Sequence, residues 1–317
     1  MTRFALAIDL GGTELRAAVV SDAGIVVVSA GIRTDPSAEP DVFIDRMAAL
    51  ALDVRASAPR CEIAGLGVGA PGPLDSIAGL SLAPPTLPLW RDVPLRAMLA
   101  ARLQMPVWVE NDANVAALGE WRFGAGRGTQ TMVYVTVSTG LGGGVVADGR
   151  LLHGRKGLAS HIGHMRIAET SEEPCSCGAS GCWEALASAT ALGLRVARRA
   201  RDGKARYIAS LAGETPPNSR HVVLAARAGD REALDLLAEE ASYLGIGFAN
   251  LLHLYSPEKI VVGGGLGISF ELMRQGAEAA MLSRAMPAYR DVPVVVAELG
   301  GQAGLVGAAS LVLTENG

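Results

Sequence analysis

Among the residues that could do chemistry, Asp112 stands first. It lies in Val109-Glu110-Asn111-Asp112-Ala113-Asn114, after an apolar run at 106–109 and before residues 112–121, whose apolar positions have helical spacing. The pattern predicts a buried strand handing over directly to a helix. In α/β folds the C-terminal edge of such a strand is where substrates and catalytic groups gather. A carboxylate there can take the proton of a bound hydroxyl, or it can simply cap the helix. Taken alone, the cap is explanation enough.

Asp9-Leu10-Gly11-Gly12-Thr13 has the parts that a triphosphate needs. Gly11 and Gly12 let backbone N–H groups approach phosphates, Thr13 adds a hydroxyl, and Asp9 can hold Mg²⁺ through water. Neither a Walker A pattern nor a Rossmann fingerprint is present, so the device is a different one. A single loop of this kind is only a tight hairpin. Two more follow strands, at Gly140 to Gly144 and at Gly263, Gly264 and Gly265, and together they point to nucleotide binding.

A third group is His164 followed by Cys175-Ser176-Cys177 and Cys182. Three thiolates and one imidazole are the ligands of a closed tetrahedral zinc site, and the alternative is a set of reduced, buried thiols. With no open coordination position, zinc would be structural and would fix the loop carrying His161, His164 and Glu184. The pair His161 and His164 beside this loop reads as functional, whereas His153, His221 and His253 read as ordinary surface or helix-end residues.

The elements that must position these residues follow from the apolar pattern. Strands are expected at 4–10 and 14–20 as a hairpin around the first glycine pair, then at 25–32 and 63–68. A helix is expected at 40–56, and another opens at Asp92-Val93-Pro94, with Asp92 as its cap. Strands at 132–137 and 145–147 flank a glycine loop at 138–144. Helices at 185–200 and 231–255, a strand at 259–262, a helix at 270–284, a strand at 292–297 and a closing helix at 302–313 complete the chain. Two related α/β lobes with a cleft between them account for this order.

Length and composition agree. The 317 residues suffice for two cores. Half are hydrophobic, few are aromatic and 39 are Gly, which suits an α/β enzyme better than a disordered or fibrous chain. The net charge of −4 and pI near 5.8 argue against a nucleic-acid surface. Mean hydropathy is positive, +0.29, yet the longest uncharged stretches are broken by Gly and Ser, so no membrane span is expected. The N-terminal run leads into Asp9 without a signal peptide's apolar segment or cleavage site, so a cytoplasmic protein is expected.

In their order, Asp9 to Thr13, Glu110 to Asn114, Ser138-Thr139-Gly140-Leu141-Gly142-Gly143-Gly144, Cys175-x-Cys-Gly-x-x-Gly-Cys-x-Glu184 and Val262 to Gly265 resemble the motifs of the ROK family (repressors, open reading frames, kinases) over essentially the whole chain. The resemblance implies an actin-like ATPase (RNase H-like) two-lobed sugar kinase with a central cleft. The smaller lobe would take residues 1–113 plus 300–317, and the larger, with the zinc loop, 114–299. It implies ATP as donor with Mg²⁺, a small sugar as acceptor and often a homodimer. By matching, Asp112 would be the general base on the sugar's 6-hydroxyl. Gly72, Asn111, Asp112, His161, His164 and Glu184 would hold the sugar. Asp9, Gly11, Gly12, Thr13, Thr139, Gly140, Gly264 and Gly265 would hold the nucleotide, and His164, Cys175, Cys177 and Cys182 a structural Zn²⁺.

Three positions depart from the family pattern. His161 stands where most of its kinases have Glu, and in this it resembles the bacterial N-acetylmannosamine kinases. An imidazole N–H can donate to an amide carbonyl, which a carboxylate cannot. Glu14 replaces a frequent Lys, and Pro85 a frequent Asn. N-acetylmannosamine is therefore the expected substrate, with glucose the alternative and polyphosphate an alternative donor. A sugar-responsive repressor would need a helix-turn-helix ahead of the first strand, for which a strand expected to begin at about Phe4 leaves no room.

Overall fold

The computed structural model describes residues 2–313. β1 (Phe4–Leu10), β2 (Glu14–Ser21) and β3 (Val26–Arg33) run antiparallel. After α1 (Pro40–Ser57) come β4 (Ile63–Ala70), a small ribbon of β5 (Leu74–Asp75) and β6 (Leu80–Ser81), α2 (Leu95–Leu103) and β7 (Val107–Asn111). The sheet order is β3-β2-β1-β4-β7, with β4 parallel to both neighbours. α3 (Asp112–Phe123) follows β7 without a connecting loop.

The chain continues through β8 (Met132–Val137), β9 (Leu141–Ala147), β10 (Arg150–Leu151), α4 (Trp183–Ala187), α5 (Ala189–Arg201), α6 (Arg206–Ala212), α7 (Ser219–Arg227) and α8 (Arg231–Tyr255). It closes with β11 (Lys259–Gly263), α9 (Gly264–Gly267), α10 (Arg274–Leu282), β12 (Val294–Val296) and α11 (Ala303–Leu313). The second sheet has the order β10-β9-β8-β11-β12. No described helix is long and apolar enough to cross a membrane.

Side-chain size decides what covers the first sheet. In β1 the large residues Leu6 and Ile8 join Phe43, Ile44 and Met47 of α1 in one core, while the small Ala5 and Ala7 face α11. The period of two along the strand thus sorts bulk to one face and close approach to the other. α11 comes so near that a Cβ on Gly67 of β4 would fall 1.8 Å from the Ala308 carbonyl oxygen. On its other side, a Cβ on Gly307 would fall 1.6 Å from the Val115 carbonyl oxygen of α3.

The chain divides into two compact units. The first takes the described residues up to Gln130, Gly144–Ser160 and those from Glu298 on; the second takes Thr131–Gly143 and His161–Ala297. This division keeps all of α3 in the first unit, where the expected lobe ended at residue 113, because α3 packs its Gly119 and Val115 against α11. Residues 314–317 of the expected lobe lie outside the described residues.

Locally the structure corrects several expectations. Asp92 has a φ of 50° and does not cap α2, which starts behind Pro94 with no side-chain cap. Glycines 142–144 are strand, and the turn is confined to Ser138–Gly140, where Ser138 N–H donates to the Gly140 carbonyl at 2.9 Å. The expected helix at 185–200 breaks at Ser188, whose hydroxyl accepts from Ala191 N–H and caps α5. The helix expected at 270–284 is a 3-10 turn followed by α10. α6 and α7 were not anticipated.

One carboxylate holds the first unit's crossing together. Glu120 of α3 is fully buried, and it accepts from Ala125 N–H, from Glu298 N–H at 3.0 Å and from Leu299 N–H at 2.7 Å. It thereby pins the segment that enters α11. Removing it would take the carboxylate acceptor from three backbone donors at once, the loss of a hydrogen bond to a charged group being worth about 1.5–3 kcal/mol. Glu120→Ala is expected to lower unfolding stability by about 3 kcal/mol or more, read as a fall in the denaturant midpoint at unchanged slope. A midpoint equal to wild type would show that the segment has other anchors.

Candidate active site

In the first unit, β7 ends at Asn111 and α3 begins at Asp112. The cap is Asn111, whose Oδ1 accepts from Ala113 N–H at 3.0 Å and from Asn114 N–H at 3.3 Å. Asp112 is thus not needed as the cap. Its Oδ1 accepts from Ala113 N–H at 2.8 Å. Burial, and then the nearby charge of Asp9, push its carboxyl up to about 7. The residue as a whole is half-buried. A carboxylate poised near neutrality is suited to taking and giving protons.

Glu110, 2% exposed, is the buried partner beneath this turn. Its Oε1 accepts from Asn111 N–H at 2.7 Å and from the Asn114 amide at 3.1 Å. Its Oε2 lies 3.1 Å from His153 Nε2, and this contact raises the His153 pKa. His153 is therefore the ionic partner of Glu110 and not an ordinary surface residue. The sequence carried one signal for it: a carboxylate ending an apolar strand needs a cation when buried.

The Asp9 hairpin lies in the same sheet. Gly11 N–H donates to the Glu14 carbonyl at 2.9 Å, and the Thr34 hydroxyl donates to the Gly11 carbonyl at 2.7 Å. Neither Gly11 nor Gly12 has a positive φ. They are tolerated for closeness instead: a Cβ would meet the Glu14 carbonyl oxygen at 3.1 Å and the Thr86 methyl at 3.2 Å. Asp9 pairs with the Arg16 guanidinium. A Cβ on Gly304, in the first turn of α11, would fall 2.6 Å from Asp9 Oδ2. Thr13 is exposed, with its carbonyl accepting from Thr34 N–H. Gly72 precedes a cis peptide to Pro73, and Pro85 is exposed.

In the second unit, the donor atoms of His164, Cys175, Cys177 and Cys182 all lie within 4.8 Å of one another. Cys177 Sγ and Cys182 Sγ are 3.7 Å apart, and Cys175 Sγ is 3.5 Å from His164 Nδ1. Zinc–sulfur bonds of about 2.3 Å in a tetrahedron require S···S of about 3.8 Å, so the set fits Zn²⁺. The knuckle turns at Gly178 and Gly181, both with positive φ, and a side chain on Gly181 would also strike the Ala168 carbonyl. An antiparallel bridge of Arg166 to Cys182 joins the His164 segment to the cysteines. Trp183 anchors the other side, its Nε1 donating to the Tyr243 carbonyl of α8 at 2.9 Å.

Glu184 extends the cluster. Its Oε2 accepts from Leu141 N–H at 3.1 Å and its Oε1 from the Ser176 hydroxyl at 2.8 Å. A Cβ on Gly140 would fall 2.5 Å from Glu184 Oε2, which ties the 138–140 turn to the cysteine loop. Gly264 has a φ of 86° and lies against the Thr136 hydroxyl and the Val137 carbonyl, with Gly265 facing Ser138. Thr139, Gly140, Gly264 and Gly265 therefore share one strand edge. His161 and His164 are exposed, their rings 6.2 Å apart. Partial enclosure of the ring, and then His164, hold the His161 pKa below its ordinary value, so it is neutral at pH 7.

Comparison with known proteins places the chain. The ROK family model matches residues 5–315. The glucokinase of Halalkalibacterium halodurans is 36% identical over 319 residues, covering 98% of this chain and 95% of that one. The bifunctional NanE/NanK enzyme of Brucella melitensis is 36% identical over 315 residues, 98% of this chain but 54% of that one. The crystal structure of a ROK family glucokinase from Streptomyces griseus, in complex with glucose and AMPPNP, superposes with a TM-score of 0.85 at 34% identity, covering 98% and 99% of the two chains. With the whole chain matched in this way, the protein belongs to the ROK family and is a sugar kinase of that family.

Proposed function

We propose that this kinase transfers the terminal phosphoryl group of ATP to the 6-hydroxyl of a hexose, with Asp112 as the general base. The observation that carries the reading is the Asp112 carboxyl at a strand–helix edge, relieved of capping by Asn111 and pushed up to about 7 by burial and by Asp9. Phosphoryl transfer to an alcohol needs in-line placement, charge neutralisation and removal of one proton. Asn111, Gly72, His161, His164 and Glu184 would position the sugar. The glycines and Thr13 of the hairpin, with Thr139, Gly140, Gly264 and Gly265, would hold the nucleotide. Asp9 fits Mg²⁺, which ordinarily binds through a carboxylate or two plus substrate phosphates and there neutralises phosphate charge.

His164 suits two tasks at once. Its Nδ1 is the nitrogen beside the sulfurs, which leaves Nε2 for a sugar hydroxyl. The zinc would be structural, holding the loop that carries His161, His164 and Glu184. The protein would work in the cytoplasm, as a homodimer.

Glucose is the sugar that the comparisons support best, since the glucokinase of Halalkalibacterium halodurans and the glucose-bound glucokinase of Streptomyces griseus match nearly end to end at 36% and 34% identity. This moves first choice away from N-acetylmannosamine, the sugar expected from sequence. That second reading retains one specific observation in its favour: His161, neutral and exposed, offers a donor where a carboxylate would offer only acceptors.

Asp112→Asn is expected to lower turnover by roughly 10²–10⁴-fold while leaving sugar affinity nearly unchanged. In the wild type the base is useful only when ionised, so kcat/KM should rise as pH climbs through about 7 and lose that limb in the variant. Near-normal turnover in the variant would remove Asp112 from the chemistry.

Elemental analysis of untagged protein is expected to find one zinc per chain, lost in Cys177→Ser. Because the loop carries the sugar ligands and not the hairpin, that variant should raise the sugar KM more than the ATP KM. Full activity without zinc would contradict the assignment.

A coupled assay on both sugars decides between the two substrates, and His161→Glu tests the selecting residue. The substitution should shift the kcat/KM ratio toward glucose by about five- to a hundredfold, the worth of one desolvated hydrogen bond. If all sugars weaken alike, His161 only buttresses the loop.

A further inference from the structure

The hairpin proposed to hold the nucleotide carries an excess of negative charge. Asp9 lies one residue before the end of β1 and Glu14 begins β2, one on each side of Gly11, Gly12 and Thr13. A polyphosphate entering there meets two carboxylates unless a cation offsets them. The β1–β2 register places Arg16 directly opposite Asp9, and Arg16 shares its strand face with Glu14 two residues away. Its Nη2 pairs with Asp9 Oδ2, its Nε lies 4.0 Å from Glu14 Oε2, and its Nη1 donates to the Gly301 carbonyl at 2.6 Å.

Arg16 is also open to a ligand. Its side chain is 31% exposed, against 14% for Asp9. A cavity of about 380 Å³, lined by Glu14, Arg16, Ser29, Gly31, Gly301 and Gln302, lies over it. The guanidinium fork has more N–H donors than Asp9 and Gly301 use, and a planar fork is the group best matched to phosphate oxygens.

We propose that Arg16 is the phosphate-neutralising residue of the hairpin. It neutralises Asp9 and Glu14 in the nucleotide-free chain, and it donates to phosphate oxygens when a nucleotide occupies the glycine turn. The inference rests on the nucleotide reading of that turn given above. It differs from a purely structural ion pair in one respect: the effect of Arg16 should grow with the number of phosphates on the ligand.

Calorimetric titration separates the two. Mg-AMPPNP, adenosine and glucose are titrated into wild type, Arg16→Ala and Arg16→Lys, with thermal melting as the check on folding. The expected result is a loss of Mg-AMPPNP affinity on the order of ten- to a hundredfold in Arg16→Ala, largely recovered in Arg16→Lys. Adenosine and glucose should bind all three proteins alike. Should Arg16→Ala fail to fold, Arg16→Gln takes its place, since an amide keeps a donor toward Gly301 but no charge. Unchanged or tighter Mg-AMPPNP binding in the uncharged variant would overturn the proposal, as would an equal loss for adenosine. A wild-type chain that binds glucose but no AMPPNP overturns the nucleotide reading itself, and the Arg16 inference with it.

Discussion

Two carboxylates in one sheet edge, Asp9 and Asp112, set the terms for the rest of the first unit. β1 and β7 flank β4, and the register lines up Asp9, Gly69 and Glu110 across the three strands. Gly69 has no side chain to intervene, and a Cβ there would strike Val115 at 2.6 Å, so the first turn of α3 sits down on the strand. Burial of its carboxyl, and then the charge of Asp9 across that gap, make Asp112 hold its proton up to about 7. The sign of this for stability is unfavourable at neutral pH. The folded chain keeps a proton that the unfolded chain releases near 3.8, so stability contributed below that pH is lost as pH rises through about 7. Strain of this kind is retained where chemistry uses it.

The scaffold keeps the pair from relaxing apart. Arg16 and the Gly304 turn of α11 close on Asp9 from two directions. α11 in turn is fixed by Glu120, which binds the backbone of Glu298 and Leu299. Since Glu120 belongs to α3, the helix that Asp112 begins, both carboxylates are referred to the same α3–α11 contact. Beneath the turn, Glu110 and His153 provide a second anchor, neutralised within the fold rather than by solvent. A half-satisfied version of this network would be worse than an apolar one.

Much of this was legible in the sequence, for physical reasons that also explain the exceptions. β1, β2, α3, α8 and β11 came through because apolar periodicity is strong where a strand or helix is buried on a core. α6 and α7 escaped because short helices over a larger one leave a weak pattern among polar residues. Asp92 and Asp112 were both offered as caps on residue type alone, but capping depends on where the backbone turns helical, at Leu95 and after Asn111. The candidate metal ligands were legible because thiolate spacing is stereotyped. His153 and Arg16 were not, since their partners, Glu110 and Asp9, come from other strands, and only register reveals them.

The two units divide the requirements of the reaction unevenly. In the first, the candidate residues act through charge: the Asp112 carboxyl proposed as base, an acidic hairpin and the cations set against it. In the second the candidate residues are fixed by placement, since Glu184 is bound by Leu141 N–H and the Ser176 hydroxyl and His164 lies against the cysteine set. A carboxylate fixed by two donors still has lone pairs to offer, but only in directions those donors leave open. Sugar hydroxyls are numerous and alike, so on the proposed reading discrimination between sugars would fall to the residue least constrained by the loop. His161 makes no hydrogen bond with the cysteines, stands exposed and neutral beside His164, and differs in chemistry from an acid at the same place. On the proposed reading, the cysteine loop would stay the same from one sugar to another while the donor or acceptor character of position 161 changed what the site accepts.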